Sequence, residues 1–177
     1  MSDITATILV STGRKPAANT RRFAKSFAEF INGAYLNRGK SSLSELFEMG
    51  YERVLVVGQR SANPANLLFY INGKESLSLS MTLMQGEPHG RLKASDYVIT
   101  GDSLADNLRR VLAVDSEKVD ADKCMRKIVV DGTRIDFVIY EVTGHNKATK
   151  ADNVQVNEIR LFSISIKYVT MGIGFAE

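Results

Sequence analysis

Residues 11–40 read STGRKPAANTRRFAKSFAEFINGAYLNRGK and contain the signal of an amphipathic helix. After Pro16, apolar residues recur at spacings of four, three and one, which places them on one helix face. These residues are Phe23, Phe27, Phe30 and Ile31. Pro16 suits the first turn, where its missing N–H would have no partner. Asn32 and Gly33 predict the end of the helix, because both tolerate the left-handed backbone conformation.

The same stretch concentrates positive charge. It holds one acid, Glu29, and seven basic residues: Arg14, Lys15, Arg21, Arg22, Lys25, Arg38 and Lys40. The whole chain has 23 basic and 20 acidic residues, so the remainder is net acidic. A solvated helix face would intersperse acids to form i,i+4 ion pairs, and only Glu29 is available here. Dense like charges repel one another, so the pattern favours a face that binds RNA or DNA phosphates.

The composition excludes several classes of protein. The 177 residues, 44% hydrophobic and 24% charged, suffice for one sizeable core. Cys124 is the only cysteine, so an intramolecular disulfide and a cysteine zinc site are absent. His89 and His145 lack the spacing of metal ligands. We therefore expect no metal and no cofactor. The first residues do not resemble a signal peptide and no apolar run is as long as a membrane span, which predicts a cytoplasmic protein without membrane contact.

Sequence motifs of enzymes are also missing. Gly13-Arg14-Lys15 is not a Walker loop, because the preceding glycine and the Lys-Ser/Thr ending are absent. No nucleophile elbow or zinc-protease motif is found. The sequence therefore predicts that the protein is not an enzyme.

Hairpin and strand signals dominate the rest of the chain. In the first half we predict strands at 4–10, 54–57, 67–71 and 77–83, an extended piece at 35–36, a helix capped by Ser42 with Glu45, a polar loop at 58–64 and a hairpin turn at Asn72-Gly73. In the second half we predict loops at 85–94 and 144–152, strands at 97–100, 128–130, 135–142 and 154–169, a helix capped by Asp102 or Ser103, and a turn at Asp131-Gly132.

The order of these elements repeats loosely, without residue-level identity. We therefore predict an α/β (α+β) fold of two similar halves, at about 1–88 and 89–177. Because hairpins outnumber crossovers, each half should contain a small mixed or antiparallel sheet with helices on one face.

Three blocks of sequence resemble the Brix-domain family of ribosome-biogenesis proteins. The blocks are Ser11-Thr12-Gly13-Arg14-Lys15-Pro16 with Thr20-Arg21 and Phe23, then Asn37-Arg38-Gly39-Lys40 with Ser42-Leu43, and then Val54-Leu55-Val56-Val57 through Asn63-Pro64-Ala65. They cover about residues 7–70, and their order and separation make them specific together. The chain lacks long charged extensions, so it resembles the compact archaeal type. The resemblance implies one Brix domain over 1–177, with halves similar to tandem anticodon-binding domains, and non-catalytic binding of ribosomal RNA.

The candidate RNA-binding residues combine the charge pattern with this resemblance. They are Thr12, Arg14, Lys15, Arg21, Arg22, Lys25, Asn37, Arg38, Lys40, Arg60 and Asn63. The segment 37–40 also fits an ordinary tight turn, and Asn63 before Pro64 also fits a structural turn residue. Tyr35, beside the basic turn, is a candidate for stacking on a base, although the favoured interpretation is a packed ring.

The leading prediction is a factor that binds ribosomal RNA or its precursor during rRNA processing and ribosome assembly, with other assembly proteins as further partners. Two alternatives remain open at this stage. The first is a protein-interaction scaffold whose basic face meets an acidic partner. The second is an enzyme that binds an anionic metabolite or a nucleotide at the same helix start.

Overall fold

The computed structural model describes residues 7–115, 118–120, 124–143 and 155–172. In chain order the elements are β1 (Ile8–Thr12), α1 (Ala18–Phe30), β2 (Ala34–Tyr35), α2 (Leu43–Phe47), β3 (Arg53–Arg60), β4 (Asn63–Ile71), β5 (Lys74–Gln85), β6 (Val98–Gly101), α3 (Ser103–Val111), β7 (Arg126–Asp131), β8 (Arg134–Thr143) and β9 (Gln155–Met171). The predicted loop at 144–152 lies outside the described residues, as do the first residues of the strands predicted at 4–10 and 154–169. Among the described helices, none has the length and apolar character needed to cross a bilayer.

The strands form one mixed sheet in the order β2-β1-β3-β4-β5-β9-β8-β7-β6. In the first half, β1 is parallel to β3, and β3, β4 and β5 are antiparallel neighbours. In the second half, β6 is parallel to β7, and β7, β8 and β9 repeat the antiparallel run. The predicted α/β class is confirmed.

The expectation of a separate small sheet in each half is wrong. The two last strands, β5 and β9, pair along an antiparallel register from Leu77↔Met171 to Gln85↔Phe162. Each of these strands pairs with a strand of its own half along one edge and with the other long strand along the opposite edge. The two strand sets therefore join into one sheet. The predicted boundary near residue 88 and the likeness to tandem anticodon-binding domains remain predictions.

One face of the sheet holds the main core, under α1 and α3. Four phenylalanines lie at its centre: Phe27, Phe30, Phe137 and Phe162. The rings of Phe137 and Phe162 stack at 4.3 Å between centroids, and Phe30 meets Phe137 edge-on at 5.3 Å. Such pairs add about 0.5–1.5 kcal/mol beyond the area that they bury. The helix stripe read from the sequence is therefore core.

The helix α2 covers the opposite face of the sheet, where helices were not expected. Its buried residue Leu46 packs with Leu9, Val54, Val56 and Tyr70. The predicted capping box is confirmed, because the Ser42 side chain accepts from the Glu45 amide and the Glu45 carboxylate accepts from the Ser42 amide. The alternation of β1 and β3 explains this position, since Leu9, Val54 and Val56 point away from the main core.

The predicted polar loop at 58–64 is wrong. The strand β3 continues to Arg60 and β4 begins at Asn63, so only two residues turn the chain, Ser61 and Ala62, at φ 49° and 63°. Pro64 pairs with Gln59 beside a register shift at Gly58/Gln59, and proline is tolerated in a strand at such a bulge.

The other two hairpins agree better with the sequence. Asn72 and Gly73 form the predicted turn at φ 49° and 73°. In the second hairpin Asp131 pairs with Arg134, so its turn residues are Gly132 and Thr133, one position later than predicted.

A buried arginine joins α1 to the second half of the chain. Arg126 is 3% exposed, and its Nη1 donates to the carbonyl oxygens of Glu29 (3.0 Å) and Phe30 (2.9 Å) and to Asn32 Oδ1 (3.2 Å). It thereby satisfies carbonyls at the helix end that have no partner within the helix. Burial lowers the pKa of the guanidinium, an effect that Cys124, Glu29 and Tyr97 oppose.

Candidate nucleic-acid interface

The carboxyl ends of three parallel strands lie at one edge of the sheet. The strand β1 is flanked by β2 and β3, both parallel to it. The chain therefore leaves the sheet at this edge three times, at residues 13–17, 36–40 and 61–62. In open α/β sheets this edge is where ligands bind. The first two of these segments carry four of the eight predicted cations, and α1, which follows the first segment, carries three more.

A glutamine fixes the segment between β1 and α1. Gln59 Oε1 accepts from the Ala17 amide (2.7 Å) and from Thr20 Oγ1 (3.1 Å), and its Nε2 donates to the Lys15 carbonyl at 3.3 Å. Lys15 has a φ of 49°, a conformation that few lysines adopt. No side chain caps the start of α1, because Ala17 occupies the N-cap position. Gln59 satisfies the Ala17 amide, but no side-chain acceptor reaches the amides of the first turn of α1 among the described residues, which suits an anion.

The cations of α1 and of the segment before it face solvent. Arg14, Lys15, Arg21, Arg22 and Lys25 are all exposed. Within the part of the chain that the structure describes, none of the five forms an ion pair. Arg21 donates to the Pro16 carbonyl at 3.2 Å, which keeps its guanidinium beside the helix start.

The turn at 37–40 leaves the sheet at the carboxyl end of β2, the strand next to β1. It follows β2, whose neighbour Leu36 donates its amide to Val10 and accepts from Ser11 Oγ at 2.9 Å. Asn37 and Lys40 are exposed, and Arg38 is half-buried because its Nε donates to the Ser41 carbonyl at 2.8 Å. The structure thus brings the basic turn and the basic helix to one edge. We call their seven cations the basic edge: Arg14, Lys15, Arg21, Arg22, Lys25, Arg38 and Lys40.

Two predicted residues do not fit as RNA contacts. Thr12 is fully buried, because it ends β1 inside the sheet beside Val57, so its side chain is out of reach of a ligand. Asn63 is exposed, but its side chain donates to the Ser61 carbonyl and accepts from Asn19 Nδ2 at 3.3 Å. It ties the β3–β4 turn to α1, as the structural alternative proposed.

Arg60 and Tyr35 differ in their accessibility. Arg60 is exposed at the end of β3 and can extend the basic edge. Tyr35 is half-buried and its hydroxyl has no hydrogen-bond partner among the described atoms. Lys25 Nζ lies 5.6 Å from the centroid of its ring. Burial raises the pKa of Tyr35, and Arg21 partly offsets this effect. These contacts fit a Tyr35 ring that packs in the fold better than one that stacks on a base.

Metal chemistry has no support in the described ranges, where no three histidine, cysteine, aspartate or glutamate side chains are close enough to share an ion. Local sequence patterns do not reveal Gln59 or Asn19, because both bond to residues 39 to 44 positions away. Their position beside a tight turn becomes visible only in the fold.

Solved structures define the class of this fold. An archaeal Imp4-like protein superposes with a TM-score of 0.65 over 93% of this chain and 99% of that chain, at 22% identity. A probable ribosomal biogenesis protein from Aeropyrum pernix superposes with a TM-score of 0.63 over 97% and 99%, at 18% identity. At these identities the likeness concerns the fold alone.

Sequence relatives identify the family. A probable Brix domain-containing ribosomal biogenesis protein of Methanococcoides burtonii is 35% identical over 105 residues, which are 57% of this chain and 68% of that protein. One of the same name from Archaeoglobus fulgidus is 44% identical over 75 residues, 42% of this chain and 48% of that protein. The match thus spans about half the length of the Archaeoglobus relative. No family model matches the chain. The chain belongs to the Brix-domain ribosomal biogenesis proteins.

Proposed function

We propose that this protein is a non-catalytic RNA-binding factor in ribosome biogenesis, which binds ribosomal RNA or its precursor through the basic edge. One observation carries the proposal. The two segments that follow β1 and β2 at their carboxyl ends, together with α1, carry the seven cations, and within the described residues none of the seven forms an ion pair. A polyanion would supply the missing counter-charge.

The relatives support the process in which the polyanion is met. Both relatives described above are named as probable ribosomal biogenesis proteins. Ribosomal RNA is the abundant polyanion of that process. Other assembly proteins would be secondary partners, recognised by surfaces outside the basic edge.

The proposed contacts are with the RNA backbone. The first amides of α1 and the cations Arg14 and Lys15 would bind one phosphate group, where the positive end of the helix dipole adds to the attraction. Arg38 keeps free guanidinium N–H groups after donating through Nε. Such contacts fix position, so sequence choice would follow from RNA shape and from unpaired segments.

The salt dependence of binding tests this mechanism. If about five phosphates are neutralised, the logarithm of the affinity for single-stranded RNA should fall with the logarithm of the salt concentration, with a slope of about −3.5. Fluorescence anisotropy with a labelled 12-nucleotide RNA measures this slope. A slope near zero would contradict the proposal.

Charge reversal tests the place of binding. Arg21→Glu with Arg22→Glu should abolish RNA binding and leave the Tm nearly unchanged, because both side chains are exposed. A matched control is Lys74→Glu with Lys167→Glu, two exposed cations outside the basic edge that change the net charge equally. If both double variants lose affinity alike, binding follows net charge and the basic edge is not the site.

A further inference from the structure

A cleft of about 510 Å³ opens beside the basic edge, between α1 and residues 83–91. Its floor is apolar and consists of Phe23, Leu83, Leu161 and Phe162. Arg22, a member of the basic edge, lines the same cleft. The cleft is large enough for one small organic molecule, since such sites measure roughly 300–1,000 Å³.

Close backbone contacts hold the outer wall of the cleft in place. The amides of Gly86 and Glu87 donate to the carbonyls of Leu161 (3.1 Å) and Arg160 (2.8 Å), which extends the contact between β5 and β9 past the end of β5. A Cβ atom at Gly86 would overlap the Arg160 carbonyl oxygen, so this position requires glycine. On the inner side, Phe23 and Phe162 meet edge-on with centroids 5.3 Å apart. Both walls are therefore tied to the same strand, β9.

The charged groups around the cleft have both signs. Arg22 and Arg91 line it together with two carboxylates, Glu29 and Glu87, and all four are exposed. A purely phosphate-binding site would not carry two carboxylates, because they repel an anion. A nucleotide matches the mixture. Its phosphate pairs with arginine, its base faces contact apolar side chains, and an amino group of its base donates to a carboxylate. Uracil has only its N3–H donor, which lies between two carbonyl oxygens that repel a carboxylate.

We propose that this cleft receives one unpaired nucleotide of the bound RNA and selects bases that carry an exocyclic amino group, namely adenine, cytosine or guanine, over uracil. The proposal rests on the proposed function, because Arg22 belongs to both the basic edge and the cleft. Single-stranded loops and bulges offer bases in this splayed state. The cleft would thus add base selection to the phosphate contacts of the basic edge, which do not distinguish between bases.

Filling the cleft tests the proposal without changing any charge. Ser26 on α1 lines the cleft and is half-buried, so Ser26→Phe places a ring in the space of the base. Affinity for a 12-nucleotide oligo(A) should fall about fivefold, the lower end of what one bound base contributes, because the ring excludes the base from the cleft. The salt slope should change by no more than one phosphate contact. Ser44→Phe, on exposed α2 and away from the cleft, is the matched control and should bind like the unaltered chain.

Neutralising the carboxylates tests the selection. With Glu29→Gln and Glu87→Gln together, the ratio of affinities for oligo(A) and oligo(U) should move toward one. A general rise in affinity for both RNAs at a constant ratio would show a charge effect only and would overturn base selection. Ultraviolet crosslinking of bound oligo(A) gives a readout that does not depend on variants, and it should label peptides containing residues 83–91.

The outcomes separate this proposal from the one on which it rests. If the chain shows no salt-dependent RNA binding, both proposals fail. If binding is steep in salt and lost in the Arg21/Arg22 variant, but Ser26→Phe binds oligo(A) normally, the basic edge stands and the cleft proposal is overturned. That second result would also be expected if the cleft accepts a side chain of a partner protein.

Discussion

The helices α1 and α3 occupy equivalent places in the fold, because each follows the first strand of a parallel pair. Their charged side chains differ in the partners that they have within the chain. In α3, the Asp102 side chain caps the helix by accepting from the Leu104 amide at 3.1 Å, and it also accepts from Gly132. Arg109 pairs with Asp106 and donates to the Ile99 carbonyl through Nε (3.0 Å) and Nη2 (2.6 Å). The charges of α3 that are described here serve the fold.

In α1 the same positions do little for the fold. No side chain caps the helix, its first turn has no acid and its last turn has no cation. Instead Arg21 and Arg22 stand near the positive end of the helix dipole, which is an unfavourable place for cations in an isolated protein. The proposed RNA binding predicts this contrast, with the charges of α1 stabilising a complex and those of α3 stabilising the chain itself.

The largest expected effect concerns the carboxyl end of α1. Arg126→Ala should lower the free energy of unfolding by about 3 kcal/mol, because the buried Phe30 carbonyl loses its donor and the space of the side chain is left empty. Urea unfolding measures this loss. Lys127→Ala, next in sequence and placed over the Tyr140 ring, is the control and should cost less than about 1 kcal/mol. Equal losses in the two variants would contradict the structural role of Arg126.

The next effect separates the two helices directly. Arg109→Ala should lower the free energy of unfolding by about 2 kcal/mol, since it removes hydrogen bonds from a charged donor that is largely shielded from water. RNA affinity should stay the same. Arg22→Ala should show the reverse pattern, with weaker RNA binding and unchanged stability. Anisotropy and urea titrations on both variants decide this, and the comparison fails if either variant changes both quantities.

The sequence predicted those features that depend on neighbouring residues. The apolar stripe of α1, the capping box at Ser42 and the turn at Asn72-Gly73 are local patterns, and each was confirmed. The basic edge was predictable in part, because five of its cations fall within residues 14–25 and the other two within residues 38–40. The order of β2, β1 and β3 arises from parallel crossovers, which the hairpin signals do not predict.

The remaining features depend on contacts between distant residues. Arg126 donates to a carbonyl 96 positions away. Every residue has a backbone carbonyl, so the sequence does not show which one accepts this hydrogen bond. The pairing of β5 with β9 and the cleft between Arg22 and Arg91 have the same origin. Thr12 was wrongly assigned to the site because the sequence placed it at the end of a strand without showing that this end is buried.

A cap added to α1 should make it resemble α3. Ala17 already has the extended backbone of an N-cap, at φ −64° and ψ 162°. Ala17→Asp should therefore raise the free energy of unfolding by about 1 kcal/mol. It should also weaken RNA binding, because its carboxylate occupies the place proposed for a phosphate. Ala17→Ser adds a cap without charge, so it should stabilise the chain with a smaller loss of affinity. If Asp leaves RNA binding intact, the helix start is not a phosphate site.

The smallest effect concerns the contact of Tyr97, at the start of the second half, with the end of α1. Its ring meets Phe30 with centroids 6.1 Å apart, and burial raises the pKa of its hydroxyl above the ordinary value of 10.0, against a smaller opposing influence of Arg126. Because the folded pKa is raised, the stabilisation is fully present below pH 10 and is lost as the pH rises beyond it. At pH 10.5 the loss of stability from this group should be about 0.8 kcal/mol.

Tyr97→Phe should flatten the decline of the free energy of unfolding between pH 9.5 and about 10.5. An unchanged decline would assign it to Tyr35, Tyr70 and Tyr140, whose pKa values burial also raises. In that case α1 would be anchored to the second half through Arg126 and its aromatic neighbours, without a contribution from the Tyr97 hydroxyl.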